Sequence, residues 1–172
     1  MKNQVLLVDD DQENLSRMRL LLEKDGFAVH QAQGATYAVG LLKRNKGKYA
    51  LAIVDYHMPE IKGDDATKLL LSIDPNLQIV TCTGDDSNEA HETNLAAGSL
   101  MVISRDIAGE KLLHITRRYL KIFENKFKLA RSSDRSLTEN ELLIRGFAPM
   151  RGASDHLVGI CKLIPKFSRS PD

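Results

Sequence analysis

The chain has 172 residues, 42% of them apolar and 27% charged, a composition that fits a globular protein and argues against wholesale disorder. No apolar run approaches the ~20 residues of a membrane helix, the opening MKNQVLLVDDD ends in acids unlike a signal peptide, and Cys82 and Cys161 have no metal-ligand spacing and make no disulfide framework, so a cytoplasmic address is expected. The formal net charge of +1 hides an asymmetry: through Asp106 there are 11 Lys and Arg against 16 Asp and Glu, and from Ile107 onward 13 against 7. An acidic front and a basic back imply two parts with different roles. The basic part reads as a solvated linker before it reads as a nucleic-acid surface.

Short apolar runs alternate with longer amphipathic ones. Val5–Val8 has strand character and closes on Asp9, Asp10 and Asp11. Leu15, Met18 and Leu22 recur at helical spacing over 12–25, and Gly26 stops that helix. A second strand is predicted over 27–31, a second helix over 35–45, and a third strand over Ala50–Val54 that ends at Asp55. A helix over 64–73 stops at Asp74-Pro75-Asn76. A fourth strand over 77–82, a helix over 86–97 ended by Gly98 and a fifth strand over 100–103 follow. A last helix over 107–131 carries Leu112, Ile115, Tyr119, Ile122, Phe123 and Phe127 near one stripe. Residues 132–136 read as a linker, Thr138-Glu139-Asn140-Glu141 as a capping box opening a short helix, and Ser154 as the cap of another. The expected layout is a domain over 1–120, a helical extension and linker over 121–137, and a short helical tail over 138–172.

Five strand–helix units in a row predict an α/β fold, a doubly wound five-stranded parallel sheet with helices on both faces, an extended last helix and a small helical tail. In such sheets function gathers at the carboxyl ends of the strands. Those ends carry Asp9, Asp10, Asp55, Thr83 and Arg105. Asp11 suits the start of the first helix, where an acid complements the dipole, but capping does not explain why Asp55 ends a different buried strand. Three carboxylates that close repel one another and call for a cation. Oxygen-only donors at a small site that keeps water favour Mg²⁺ over Ca²⁺.

Val8-Asp9-Asp10, then Asp55-Tyr56-His57-Met58-Pro59 with Gly63 beyond, then Thr83-Gly84, then Ala96-Ala97-Gly98 before the fifth strand together resemble the receiver domain of two-component response regulators, over residues 4 to about 120. The resemblance implies a flavodoxin-like fold with Asp55 as nucleophile and phosphoacceptor, charged from a sensor histidine kinase or a small donor. It implies that Asp10 binds Mg²⁺ directly, that Asp9 acts largely through water, and that the backbone carbonyl of His57 is a further ligand beside Asp55. Thr83, with Gly84, would bind a phosphoryl oxygen, and Gly63 would permit the turn into the third helix. His57 and Asp85 would tune the lifetime of the phosphoryl group.

Three departures fall at the fifth strand. Arg105-Asp106 stands where the family has Lys-Pro, and Val102 stands where an aromatic switch residue is usual. Arg105 keeps the charge and would bind the phosphoryl group, bidentately if need be, though its planar fork is longer and differently shaped, and loss of proline removes the easy cis peptide. The alternative is therefore a pseudo-receiver, a phosphorylation-independent interaction module. An aspartyl phosphatase of the haloacid dehalogenase type fails because His57 stands where that motif needs a second Asp. A fainter resemblance links 147–164 to the opening of the AAA+ domain of sigma-54-type activators, but no phosphate-binding loop of that kind occurs in the chain. The apolar stripe of the last helix runs past the length one sheet is expected to cover, which predicts a homodimer through the helix 107–131. Contact of this chain with membrane or DNA is not expected.

Overall fold

The computed structural model of the chain describes residues 4–85, 87–107 and 109–133. Strands β1 (Gln4–Asp9), β2 (Ala28–Gln33), β3 (Tyr49–Asp55), β4 (Gln78–Thr83) and β5 (Met101–Ser104) alternate with helices α1 (Gln12–Lys24), α2 (Ala35–Arg44), α3 (Gly63–Ile73), α4 (Asn88–Ala97) and α5 (Gly109–Ser133). The sheet order is β2-β1-β3-β4-β5 and every pairing is parallel. The doubly wound fold expected from the alternation is the one observed. The expected tail helices beyond residue 133 lie outside the described residues.

Strands buried on both faces divide their alternate side chains between two cores. Val5, Leu7, Leu51, Ile53 and Val80 face α1 and α5, where Leu15, Leu22, Leu112 and Tyr119 cover them. Leu6, Val8, Ala52, Val54 and Ile79 face the other way, onto Ala38, Leu42, Ala66 and Leu70 of α2 and α3.

The boundaries that moved did so for local reasons. Helix α4 starts at Asn88 rather than 86 because Ser87 is extended and its side chain accepts from the Ala90 amide, an N-cap. It ends at Gly98, whose φ of +111° is the left-handed C-cap that favours glycine. Strand β2 runs to Gln33 because it continues to pair with β1 as far as Asp9. Helix α5 continues through Ser133, so the linker expected from residue 132 begins too early.

One expectation is overturned. Ile115, Tyr119 and Phe123 are each at most 7% exposed, and Ile122 packs against the same core. The stripe was expected to outrun the sheet, but through Phe123 it joins the core; the side chain of Phe127 lies outside the described residues. Gln78, at the start of β4, donates from Nε2 to the Tyr119 carbonyl at 2.9 Å and to the Ala50 carbonyl at 3.0 Å, fastening the helix to the lower edge of the sheet. Higher up, Arg117 of α5 is ion-paired with Asp25 at the end of α1. Thr116, on the same helix, is also fully buried.

Candidate functional site

The register sets the site. Val8 of β1 lies beside Val54 of β3, so Asp9 and Asp55 leave neighbouring strands at the same level. Asp55 in turn pairs with Cys82, one residue before Thr83, and Thr83 pairs with Ser104, one residue before Arg105. Five of the residues singled out in the sequence therefore converge at the carboxyl edge of three central strands and β5.

Carboxylate oxygens of Asp9, Asp10 and Asp55 all lie within 4.8 Å of one another. Asp9 and Asp55 are buried, at 3% and 2% exposure, and Asp10 is half-buried. Burial pushes the Asp9 carboxyl up to about 6, against the Asp11 amide, which donates to its Oδ1 at 2.8 Å. Burial also raises Asp55, opposed by Arg105. The Arg105 Nη2 donates to Asp55 Oδ1 at 2.8 Å and Oδ2 at 3.1 Å, and the His57 amide donates to Oδ2 at 2.9 Å. Arg105 Nε is buried without a hydrogen-bond partner.

The sequence resemblance puts Arg105 with Thr83 and Gly84 among the phosphoryl-binding residues. In the structure it is bonded directly to both oxygens of Asp55. The Arg105 amide also donates to the Thr83 carbonyl at 2.7 Å, holding the β5 loop against β4. The Thr83 hydroxyl is fully buried and accepts from the Asp85 amide at 2.9 Å. Gly84 is exposed beside it, and Val102 is half-buried on β5. No cis peptide bond occurs among the described residues, the Arg105–Asp106 bond included. His57 is exposed, with its ring edge-on to Tyr56. Asp11 caps α1 as expected, accepting from the amides of Glu13 and Asn14. Cys82 is a core thiol whose burial pushes it up to about 12, so it supplies no nucleophile at neutral pH.

Gly63 serves the site for a reason the sequence did not reveal. A Cβ there would stand 2.6 Å from Tyr56 Cα and 2.8 Å from the Asp55 carbonyl oxygen. The start of α3 lies directly on the backbone that carries Asp55, and the Gly63 amide donates to the Tyr56 carbonyl at 2.9 Å. Also unread in the sequence is a cavity of about 270 Å³ beside the carboxylates, walled by Met18, Leu21, Ile103, Ile107 and Leu112 with Arg17 among its polar residues. The small residues Cys82 and Gly109 on its wall are the signal that could have exposed it.

The donor set fits a hard divalent cation. Oxygen ligands at ~2.1 Å from one Mg²⁺ stand no more than ~4.2 Å apart, so the three carboxylates need close only slightly, or one can bind through water. Asp10 and Asp55 would hold the ion directly, with Asp9 behind them. Bound there, it would offset the repulsion among the acids and the negative charge of an incoming phosphoryl group.

An open parallel sheet with a buried carboxylate at the centre of its carboxyl edge defines a flavodoxin-like domain with an acidic, oxygen-lined site. A family model, the response regulator receiver domain, matches residues 5–117. The chain belongs to that family, and so to the signalling proteins of two-component systems. It is similar to transcription factor SKN7 of Saccharomyces cerevisiae, 31% identical over 117 residues that make up 68% of this chain and 18% of that protein. It is also similar to response regulator MprA of Mycobacterium sp. (strain KMS), 29% identical over 117 residues, 68% of this chain and 50% of that protein. Among solved structures, a CheY-like response regulator receiver domain protein from Methanospirillum hungatei JF-1 is 26% identical with a TM-score of 0.67, over 73% of this chain and 99% of that one. The chain thus spans half or less of the length of these two curated relatives. No helix among the described residues is long and apolar enough to cross a membrane.

Proposed function

We propose that this chain is a phosphoaccepting receiver in which Asp55 takes a phosphoryl group from a sensor histidine kinase or a small phosphodonor, with Mg²⁺, and thereby controls the segment that follows α5. One observation carries the reading: the buried carboxylate of Asp55 meets Asp9, Asp10 and Arg105 at one point of the sheet edge. An Asp55 oxygen attacks phosphorus in line as the bond to the donor nitrogen or acyl oxygen breaks, and that atom leaves with the electron pair. Arg105 would shift from the carboxylate to the phosphoryl oxygens, and the Thr83 hydroxyl would turn toward them. The work is signalling rather than turnover of a substrate, and its place would be the cytoplasm.

A pseudo-receiver remains the second reading, favoured by the Arg105 nitrogen that already engages both Asp55 oxygens and by Val102 at the switch position. Intact-mass measurement after incubation with acetyl phosphate and Mg²⁺ separates the two. A single hydroxylamine-labile adduct of one phosphoryl group is expected, absent in Asp55→Asn. No adduct on the wild type would leave the interaction module, and the same adduct on Asp55→Asn would move the acceptor elsewhere.

A further inference from the structure

Helix α5 has a second face that the receiver reading does not use. Its buried face carries Leu112, Ile115, Tyr119 and Phe123. At 100° per residue, Lys111, Arg118, Lys121 and Lys128 fall within an arc of about 100° on the opposite side, with His114 and Asn125 between them. All six are exposed. None of the four cations is within ion-pair reach of a carboxylate among the described residues, unlike Arg117 on the flank, which is held by Asp25. Glu110, at the amino end, is the exposed acid on this face. From Lys111 to Lys128 the row runs about 26 Å along a straight helix.

We infer that this row binds the phosphodiester backbone of a double-stranded nucleic acid, without reading its sequence. The alternatives fit less well. A stable protein partner needs an apolar centre in the interface, where lysine is depleted, and this row has no apolar member. A second copy would set four cations against four. An anionic membrane would take an amphipathic helix through its apolar face, which α5 spends on the core. A polyanion needs none of these. At ~3.4 Å per phosphate along one strand, the row faces seven or eight phosphates, and each cation that neutralises one releases condensed counterions. No recognition motif is required for contact of this kind.

The test is fluorescence anisotropy of a labelled 20-base-pair duplex with the full chain, titrated at several salt concentrations. Binding in the micromolar range at 50 mM salt is expected, with log K falling against log salt at a slope of about −3 to −4 for four contacts. The double variant Arg118→Glu/Lys121→Glu should lose at least tenfold in affinity and about half of the slope, with its melting temperature unchanged. The control Lys43→Glu/Lys46→Glu makes the same charge change at the end of α2, where both lysines are exposed, and should lose far less. Three results would overturn the inference: no binding at 50 mM salt, equal losses in the two double variants, or binding to phosphatidylserine vesicles that exceeds binding to the duplex.

Discussion

The Asp55 carboxylate is positioned by backbone as much as by charge. Asp55 ends a strand that is buried along its whole length, and the next residue is pinned when the Tyr56 amide donates to the Cys82 carbonyl at 2.8 Å. Gly63 then closes on the same backbone from below. Neither neighbour can give way cheaply, because both are main chain rather than the tip of a side chain. Gly63→Ala should therefore displace the Asp55–Tyr56 peptide, cost about 1–3 kcal/mol as overpacking does, and slow adduct formation with acetyl phosphate. Urea denaturation and intact mass read the two effects. An alanine variant with wild-type stability and wild-type phosphorylation would show that α3 moves away freely. The acids, Thr83 and Arg105 were legible in the sequence because strand ends and residue types suffice to collect them. The glycine's role was not, because its Ramachandran freedom is unused and only the packed neighbours reveal why a side chain is forbidden.

At the scale of elements, periodicity located every helix and strand of the receiver, and errors stayed at the ends, where one capping side chain such as Ser87 decides. The larger misreading concerned α5. Counting apolar positions against sheet length treats the apolar sheet face as the only cover, whereas the start of β4 also fastens the helix, as the Gln78 bonds to Tyr119 and Ala50 show. The apolar stripe is thus spent within one chain as far as Phe123, and the opposite face carries like charges, so Ile115, Tyr119 and Phe123 are not exposed to form the seam proposed for a homodimer. Phe123→Ala should behave as a core truncation, costing about 3–5 kcal/mol. Its urea midpoint, and that of the wild type, should not change between 1 and 100 µM protein. A midpoint that rises with concentration in the wild type and loses that dependence in the variant would restore Phe123 to an intermolecular seam.

For the whole molecule, the clustered acids of the site are a source of instability that a bound cation would relieve. Burial raises the Asp9 carboxyl from its ordinary 3.8 to about 6. A raised acid binds its proton more tightly in the folded chain than in the unfolded one. Between pH 4 and 6 the folded state therefore holds more protons, and stability falls as pH rises through that window, then levels off. The full effect for Asp9 alone is of the order of 3 kcal/mol, and Asp55, raised in the same direction though opposed by Arg105, adds to it. A divalent cation at the proposed site would reverse the balance, because it would bind the ionised carboxylates of the folded state and not the dispersed ones of the unfolded chain. In EDTA, the urea midpoint of the wild type should decline from pH 4.5 to 6.5, and Asp9→Asn should flatten most of that decline while raising stability at pH 7. With 10 mM Mg²⁺, the gain in melting temperature should be small at pH 5, reach its full size by pH 7, and largely vanish in Asp10→Ala. Equal gains at pH 5 and pH 7, or an undiminished gain in Asp10→Ala, would mean that the cation stabilises the chain somewhere other than at these three carboxylates.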